Sequence, residues 1–235
     1  MQTLPSISKD GQAIIIGNSG AIGAAVEKIV RQSGFPLVHC FSRNSGFDLC
    51  SEDSIRLAAD QVERCDLPVR FLFIATGFLY DRAYMPEKSI HQISQNHLEK
   101  SFQINTIGPA LVLKYFMPLV AGKGRAVMAV LSAKVGSIAD NRLGGWYSYR
   151  ASKAALNQFI KTSAIELKRK NSDALCVALH PGTVDSKLSE PFQKTGLLVR
   201  PPQEAADELV TVLDTLNAEK ASGGFYDYRG HEILW

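Results

Sequence analysis

"AIIIGNSGAIGAAV" occupies residues 13–26, and its reading decides the fold. The apolar run Ala13, Ile14, Ile15 and Ile16 reads as a short buried strand. Glycines at 17, 20 and 23 then make a turn, and a helix-forming pattern follows over about 22–33. A helix that starts behind a glycine turn presents unpaired N–H groups and the positive end of its dipole, which suits a phosphate. Gly17 permits the sharp turn, and Gly23 permits close packing of helix on strand. The bland alternative is a tight strand-to-helix connection with no ligand. The spacing departs from G-x-G-x-x-G, so residues beyond the turn must decide between the two.

Outward from the turn, short β-branched runs alternate with longer helical patterns. Further strands are expected over 36–43, 69–76, 125–133, 174–182 and 223–230. Helices are expected over 52–65, 95–120, 148–170 and 202–217. This alternation implies βαβ units: an α/β fold, with a doubly wound and mostly parallel sheet covered by helices on both faces. Residues 1–235 then make a single domain, a length sufficient for one large core. Two stretches, about 77–94 and 183–201, lack periodicity and follow strands, where ligands bind in such sheets. The second contains Phe192, Leu197, Leu198 and Val199 among charges and is expected to be a partly apolar substrate loop.

Composition narrows the partners. The chain is 46% hydrophobic and 21% charged, with a net charge of +3 spread along its length. No basic stripe with interleaved aromatics argues for nucleic acid. No apolar run is long enough for a membrane span, and no basic-then-apolar leader opens the chain. Cysteines at 40, 50, 65 and 176 show neither metal-ligand nor redox spacing. Cys40 and Cys176 fall inside strand-like runs, where cysteine serves as a small buried hydrophobe. Reduced thiols without a leader imply a cytoplasmic protein.

Two features carry chemistry. In "WYSYRASKAALNQF", Tyr149 and Lys153 are four residues apart, on one helix face, so both side chains can reach one point. A tyrosine near pKa 10 is a poor acid–base group at neutral pH, and a neighbouring ammonium lowers that value. Tyr147 has no such partner, because Ala151 stands four residues on. At the end of the second strand, "FSRN" puts Ser42 where a fold that binds NAD carries an acid, with Arg43 next. An arginine fork suits a 2′-phosphate, so NADP is favoured over NAD.

"GNSGAIG" at 17–23, "FDL" at 47–49, "IATG" at 74–77 and the Tyr149–Lys153 segment together resemble the short-chain dehydrogenase/reductase family, most of all its C-factor-like and small carbonyl reductase branch. Ala21 replaces the middle glycine of that family's turn. The resemblance implies a Rossmann fold and NADP(H)-dependent hydride transfer between a nicotinamide and a carbonyl or alcohol substrate, with Tyr149 as acid/base. It assigns the cofactor to Gly17, Asn18, Ser19, Ile22 and Gly23 in the turn, then Arg43, Asp48, Ala75 and Gly77. Tyr149 and Lys153 would also touch it, as would Pro181, Gly182 and Val184 of "HPGTVDSKL". Asn105, in the helix expected at 95–120, takes the family's fourth catalytic place. The catalytic serine would fall at position 133, where this chain has Ala133. Ser132, or else Ser137, takes that role, or no serine does. Family members commonly form homodimers or homotetramers through the helices around 95–120 and 148–170. The missing serine keeps a second reading open: a non-catalytic nucleotide-binding regulatory or signalling protein on the same fold.

Overall fold

The computed structural model describes residues 3–192 and 198–235, so Leu197 of the expected substrate loop lies outside the described residues. Six strands form one parallel sheet: β1 (Gln12–Ile16), β2 (Leu37–Phe41), β3 (Val69–Ile74), β4 (Ala126–Leu131), β5 (Ala174–His180) and β6 (Phe225–Asp227). Their order is β2-β1-β3-β4-β5-β6. The chain runs from β1 out to β2 and then crosses back to β3 on the other side of β1. That reversal opens a crevice above the carboxyl ends of β1 and β3.

Among the described residues seven helices cover the sheet: α1 (Ala21–Gln32), α2 (Glu52–Glu63), α3 (Gln95–Phe102), α4 (Gly108–Phe116), α5 (Tyr147–Lys170), α6 (Pro202–Thr215) and α7 (Ala218–Ala221). Side chains alternate across the strands and build a core on each face. Ile14 and Ile16 join Leu72 and Ile74 against Ile55 of α2, Phe116 of α4 and Leu156 of α5. Ala13 and Ile15 join Phe71 and Phe73 against Val26 and Ile29 of α1 and Leu209 of α6. Strands buried on both faces explain the apolar runs Ala13–Ile16 of β1, Phe71–Ile74 of β3 and Ala126–Leu131 of β4, whereas the edge strand β2 is partly open.

Each expected strand is present within a few residues of its expected ends. The helix expected over 95–120 is instead broken. A π-helical turn at Gln103–Ile107 separates α3 from α4, with the Gly108 N–H reaching back five residues to the Gln103 carbonyl. Pro109 has no N–H, so the Asn105 carbonyl loses the donor four residues ahead that an α-helix requires. The short α7, capped by the Asn217 side chain at the Lys220 N–H, was not expected. Cys176 is buried on β5, whereas Cys40 on the edge strand β2 is only half-buried, and burial pushes each thiol up to about 12. Among the described residues no helix is long and apolar enough to cross a membrane.

Candidate active site

The glycine turn joins β1 to α1 at the crevice. Gly17 has φ +90°, and its N–H donates to the Phe41 carbonyl at 2.7 Å. A Cβ on Gly23 would stand 2.3 Å from the Gly17 carbonyl oxygen, so only glycine lets α1 seat here. Gly20 caps α1 without a side-chain bond, and no acidic residue occupies the first turn. The helix therefore offers bare N–H groups where an anion is favoured. Ser19 is exposed and Ile22 half-buried beside them. Asn18 Nδ2 donates to Glu27 at 2.8 Å, while Asn18 Oδ1 and the hydroxyl of Thr76 are buried without a partner.

Neighbouring elements complete the cradle. The Ala75 N–H donates to the Ile16 carbonyl at 2.8 Å, which ties the end of β3 to the turn. Arg43 begins a short 3-10 turn after β2 and is exposed. Asp48 is also exposed and accepts the Cys50 N–H at 2.9 Å. Bare amides, orphaned polar atoms and a free-standing arginine around one turn fit a nucleotide that carries phosphates.

The tyrosine and lysine stand in the first two turns of α5. Gly144, Gly145 and Trp146 lead into α5 with φ of +63°, +65° and +54°, three left-handed residues in a row. Trp146 has a Cβ and holds that conformation at a strain of about 1 kcal/mol. Beyond it Tyr149 is 9% exposed and Lys153 2%. Lys153 Nζ donates to the Leu131 carbonyl at the end of β4, 2.9 Å away. A Cβ built on Gly77 would lie 3.9 Å from both Lys153 Nζ and Asn105 Oδ1, so β3, the π turn and α5 converge there. Burial lifts the Tyr149 phenol above its ordinary range and pushes Lys153 down to about 7. Both groups are thus held toward their neutral forms.

Asn105 is a latch. Its Oδ1 accepts the Phe78 N–H at 2.7 Å, and its Nδ2 donates to the Phe78 carbonyl at 2.8 Å and to Ser152 Oγ at 3.0 Å. Ser152 Oγ in turn donates to the Tyr149 carbonyl at 2.9 Å.

The serine alternatives divide in space. Ser132 Oγ donates to Asn157 Oδ1 at 2.6 Å, under α5 and one turn beyond Lys153. Ser137 Oγ donates to the Leu234 carbonyl and accepts the Asp140 N–H at 3.1 Å, facing the C-terminal segment. Neither hydroxyl hydrogen-bonds Tyr149. Ala133 caps the 3-10 turn between them and is half-buried.

After β5, Pro181 is half-buried and Gly182 adopts φ +76°, where a Cβ would press within 3.0 Å of the Tyr228 ring. The Arg200 guanidinium covers the same ring at 4.0 Å. Arg200 donates its N–H to the Thr183 carbonyl at 3.0 Å and accepts the Asp185 N–H at 2.9 Å, which leaves Val184 4% exposed. His180 is pushed down to about 4 by burial, which favours its neutral form. Beside Tyr149, the Trp146 ring lies 6.2 Å away and contacts Phe192 at 5.1 Å, which meets Tyr80 at 5.5 Å. This aromatic row borders the approach to the phenol.

Sequence reasoning missed Thr76, Arg200, Tyr228, Ser148, Ser152 and Glu87. The two serines repeat the Tyr149–Lys153 spacing one position earlier, a signal that was available. Glu87 sits in an aperiodic stretch where nothing marks it.

A parallel sheet with a bare glycine turn at its reversal point, and a buried Tyr–Lys pair beside that crevice, defines a dinucleotide-fold protein of the dehydrogenase type. The chain belongs to the short chain dehydrogenase family, whose model matches residues 44–196. It is 33% identical over 138 residues to C-signal of Myxococcus xanthus, covering 59% of this chain and 78% of that protein. It is 28% identical over 190 residues to 1-hydroxy-2-glutathionyl-2-methyl-3-butene dehydrogenase of a Rhodococcus species, covering 81% and 79%. In three dimensions it resembles the NADPH-bound carbonyl reductase from chicken fatty liver, with a TM-score of 0.81 and 23% identity over 96% of this chain and 99% of that one.

Proposed function

We propose that this family member is an NADP(H)-dependent reductase of carbonyl compounds, with Tyr149 as the proton donor. One observation carries the reading: Tyr149 and Lys153 are both buried on one face of α5, and Lys153 Nζ comes with Asn105 Oδ1 to Gly77 at the end of β3. NADP bound at the turn would supply the hydride in reduction or accept it in oxidation. The residues to hold it are Gly17, Asn18, Ser19, Ile22 and Gly23, with Asp48, Ala75, Gly77, Pro181, Gly182 and Val184 along the crevice. Arg43, exposed at the end of β2, supports NADP over NAD because its fork matches a 2′-phosphate.

Burial keeps the Tyr149 phenol protonated at neutral pH, the form needed to give a proton to a carbonyl oxygen. Lys153, when protonated, eases the loss of that proton by stabilising the phenolate. The Leu131 carbonyl fixes the amine beside it. Asn105 holds the β3 end and α5 in register, so the two reactive groups stay aligned. Ser132 would serve the developing oxyanion only by leaving Asn157. The Trp146–Phe192–Tyr80 row favours an apolar, flat carbonyl substrate. Exposed Ile107, Phe159 and Ile165 on the two helical segments support a homo-oligomer.

Tyr149→Phe is expected to lower kcat for carbonyl reduction by about 100-fold or more while changing the NADPH Kd only slightly. Stopped turnover assays and fluorescence titration check this, and full activity in the variant removes the tyrosine from the mechanism. The second reading, a nucleotide-binding regulator, is favoured by the absent hydroxyl at position 133 and by the inward bond of Ser132. NADPH binding by the wild-type chain without turnover of any compound in a carbonyl panel selects that reading.

A further inference from the structure

We propose that Glu87 is a positioning residue that sets Tyr149 in place by gripping the start of α5 from a distant loop. The inference rests on the reading of Tyr149 as the reacting acid. Glu87 is 2% exposed, a buried carboxyl in a stretch of sequence without periodicity. Its Oε1 accepts the Ser148 hydroxyl and its Oε2 the Ser148 N–H at 3.2 Å. Its backbone carbonyl accepts the N–H of Trp146 at 2.5 Å. A Cβ on Gly145 would come within 3.2 Å of that same carbonyl oxygen, so the lead-in chain lies directly on Glu87.

These contacts answer a local need. Trp146 caps α5 in the left-handed region and supplies no side-chain bond to the first helical turn. The first N–H groups of a helix need acceptors, and a carboxyl there also meets the positive dipole end. Glu87 fills that place from 61 residues away. The carboxyl is itself held: His97 Nδ1 lies 3.1 Å from Oε1, with the imidazole stacked on Tyr84 at 4.9 Å. Ser148 precedes Tyr149 directly, and Ser152, bonded to Asn105, follows one turn later. The helix face adjoining the reactive pair is therefore fastened at both ends of the Tyr149–Lys153 span. Loss of the Glu87 grip frees the front end, where the phenol is.

The test combines hydrogen exchange of the α5 amides with steady-state kinetics. In Glu87→Ala, exchange over residues 146–153 is expected to rise about 10-fold while β1 and β3 stay protected. In the same variant kcat falls about 30-fold, from misplacement of the phenol, with the NADPH Kd unchanged. Glu87→Gln is expected to restore both, because its oxygen can accept the Ser148 N–H while its NH2 faces the hydroxyl and the imidazole, which can each reverse roles. Unchanged exchange in Glu87→Ala overturns the grip, and raised exchange with wild-type kcat overturns the positioning role. If Glu87→Ala does not fold, Ser148→Ala removes the hydroxyl bond alone: a smaller rise in exchange with a smaller fall in kcat supports the proposal, and no change in either overturns it. A wild-type chain that turns over no carbonyl, yet shows the exchange response, refutes the reductase reading and leaves the grip standing.

Discussion

Lys153 is the residue at which burial and charge conflict most openly. Unfolded, it titrates near its ordinary 10.5, whereas burial in the folded chain brings it down to about 7. Between those values the unfolded chain holds a proton that the folded chain lacks. Unfolding then takes up a proton, so stability rises as pH increases through this window. Each pH unit inside it is worth about 1.4 kcal/mol. Urea unfolding between about pH 7 and pH 9 is expected to show the wild type gaining about 2 kcal/mol relative to Lys153→Met. A difference that stays flat with pH means that the amine keeps its proton in the fold. The spacing of four put Tyr149 and Lys153 on one face of α5, where both are buried. It did not show that burial, rather than their mutual charge, sets both groups, because desolvation depends on what closes over α5.

The β1–α1 turn shows what an element demands of its glycines. A Cβ on Gly23 would meet the backbone of Gly17 at 2.3 Å, and a backbone carbonyl cannot swing aside as a side chain can. A Cβ on Gly20 would stand 3.4 Å from the same oxygen, an ordinary contact. Gly23→Val is therefore expected to destabilise the fold by about 3 kcal/mol and to abolish NADPH binding by lifting α1 off the strand. Gly20→Ala is expected to lose less than about 1 kcal/mol, as an unfavourable cap. Thermal unfolding and a binding titration compare the two, and equal losses would refute the steric account. The role of this turn was legible because strand, glycines and helix lie within 14 residues of sequence. The break at Gln103–Ile107 was also written there, in Pro109, but apolar periodicity runs straight across it and hides the π turn. The left-handed approach to α5 was legible only in part: Gly144 and Gly145 suit positive φ, whereas Trp146 at φ +54° has no local reason for it, and its N–H is held by the Glu87 carbonyl in another loop.

At the scale of the whole molecule, the candidate cofactor site draws on the carboxyl ends of four of these strands. Gly17 follows β1, Arg43 follows β2, Ala75 follows β3, and Gly182 follows β5, with Lys153 reaching in from α5. The alternation of strands and helices predicted such a crevice. It did not predict which loop residues would brace it, since Tyr228 and Arg200 come to Gly182 only through the tertiary fold. A ligand that touches all these ends binds the folded chain and not the unfolded one, so it stabilises the cooperative unit as a whole. NADPH at 100 times its Kd is expected to add about 2.7 kcal/mol. For a chain of this size that is a rise in Tm of roughly 5–10 °C. NADH differs by lacking the 2′-phosphate, so at the same concentration it should raise Tm less. Arg43→Ala is expected to shrink the NADPH shift to that of NADH while leaving the NADH shift in place, because the exposed guanidinium is not part of the core. Differential scanning calorimetry of both proteins with both nucleotides reads the four shifts. Equal shifts from NADPH and NADH in the wild type would take the 2′-phosphate, and Arg43 with it, out of the recognition.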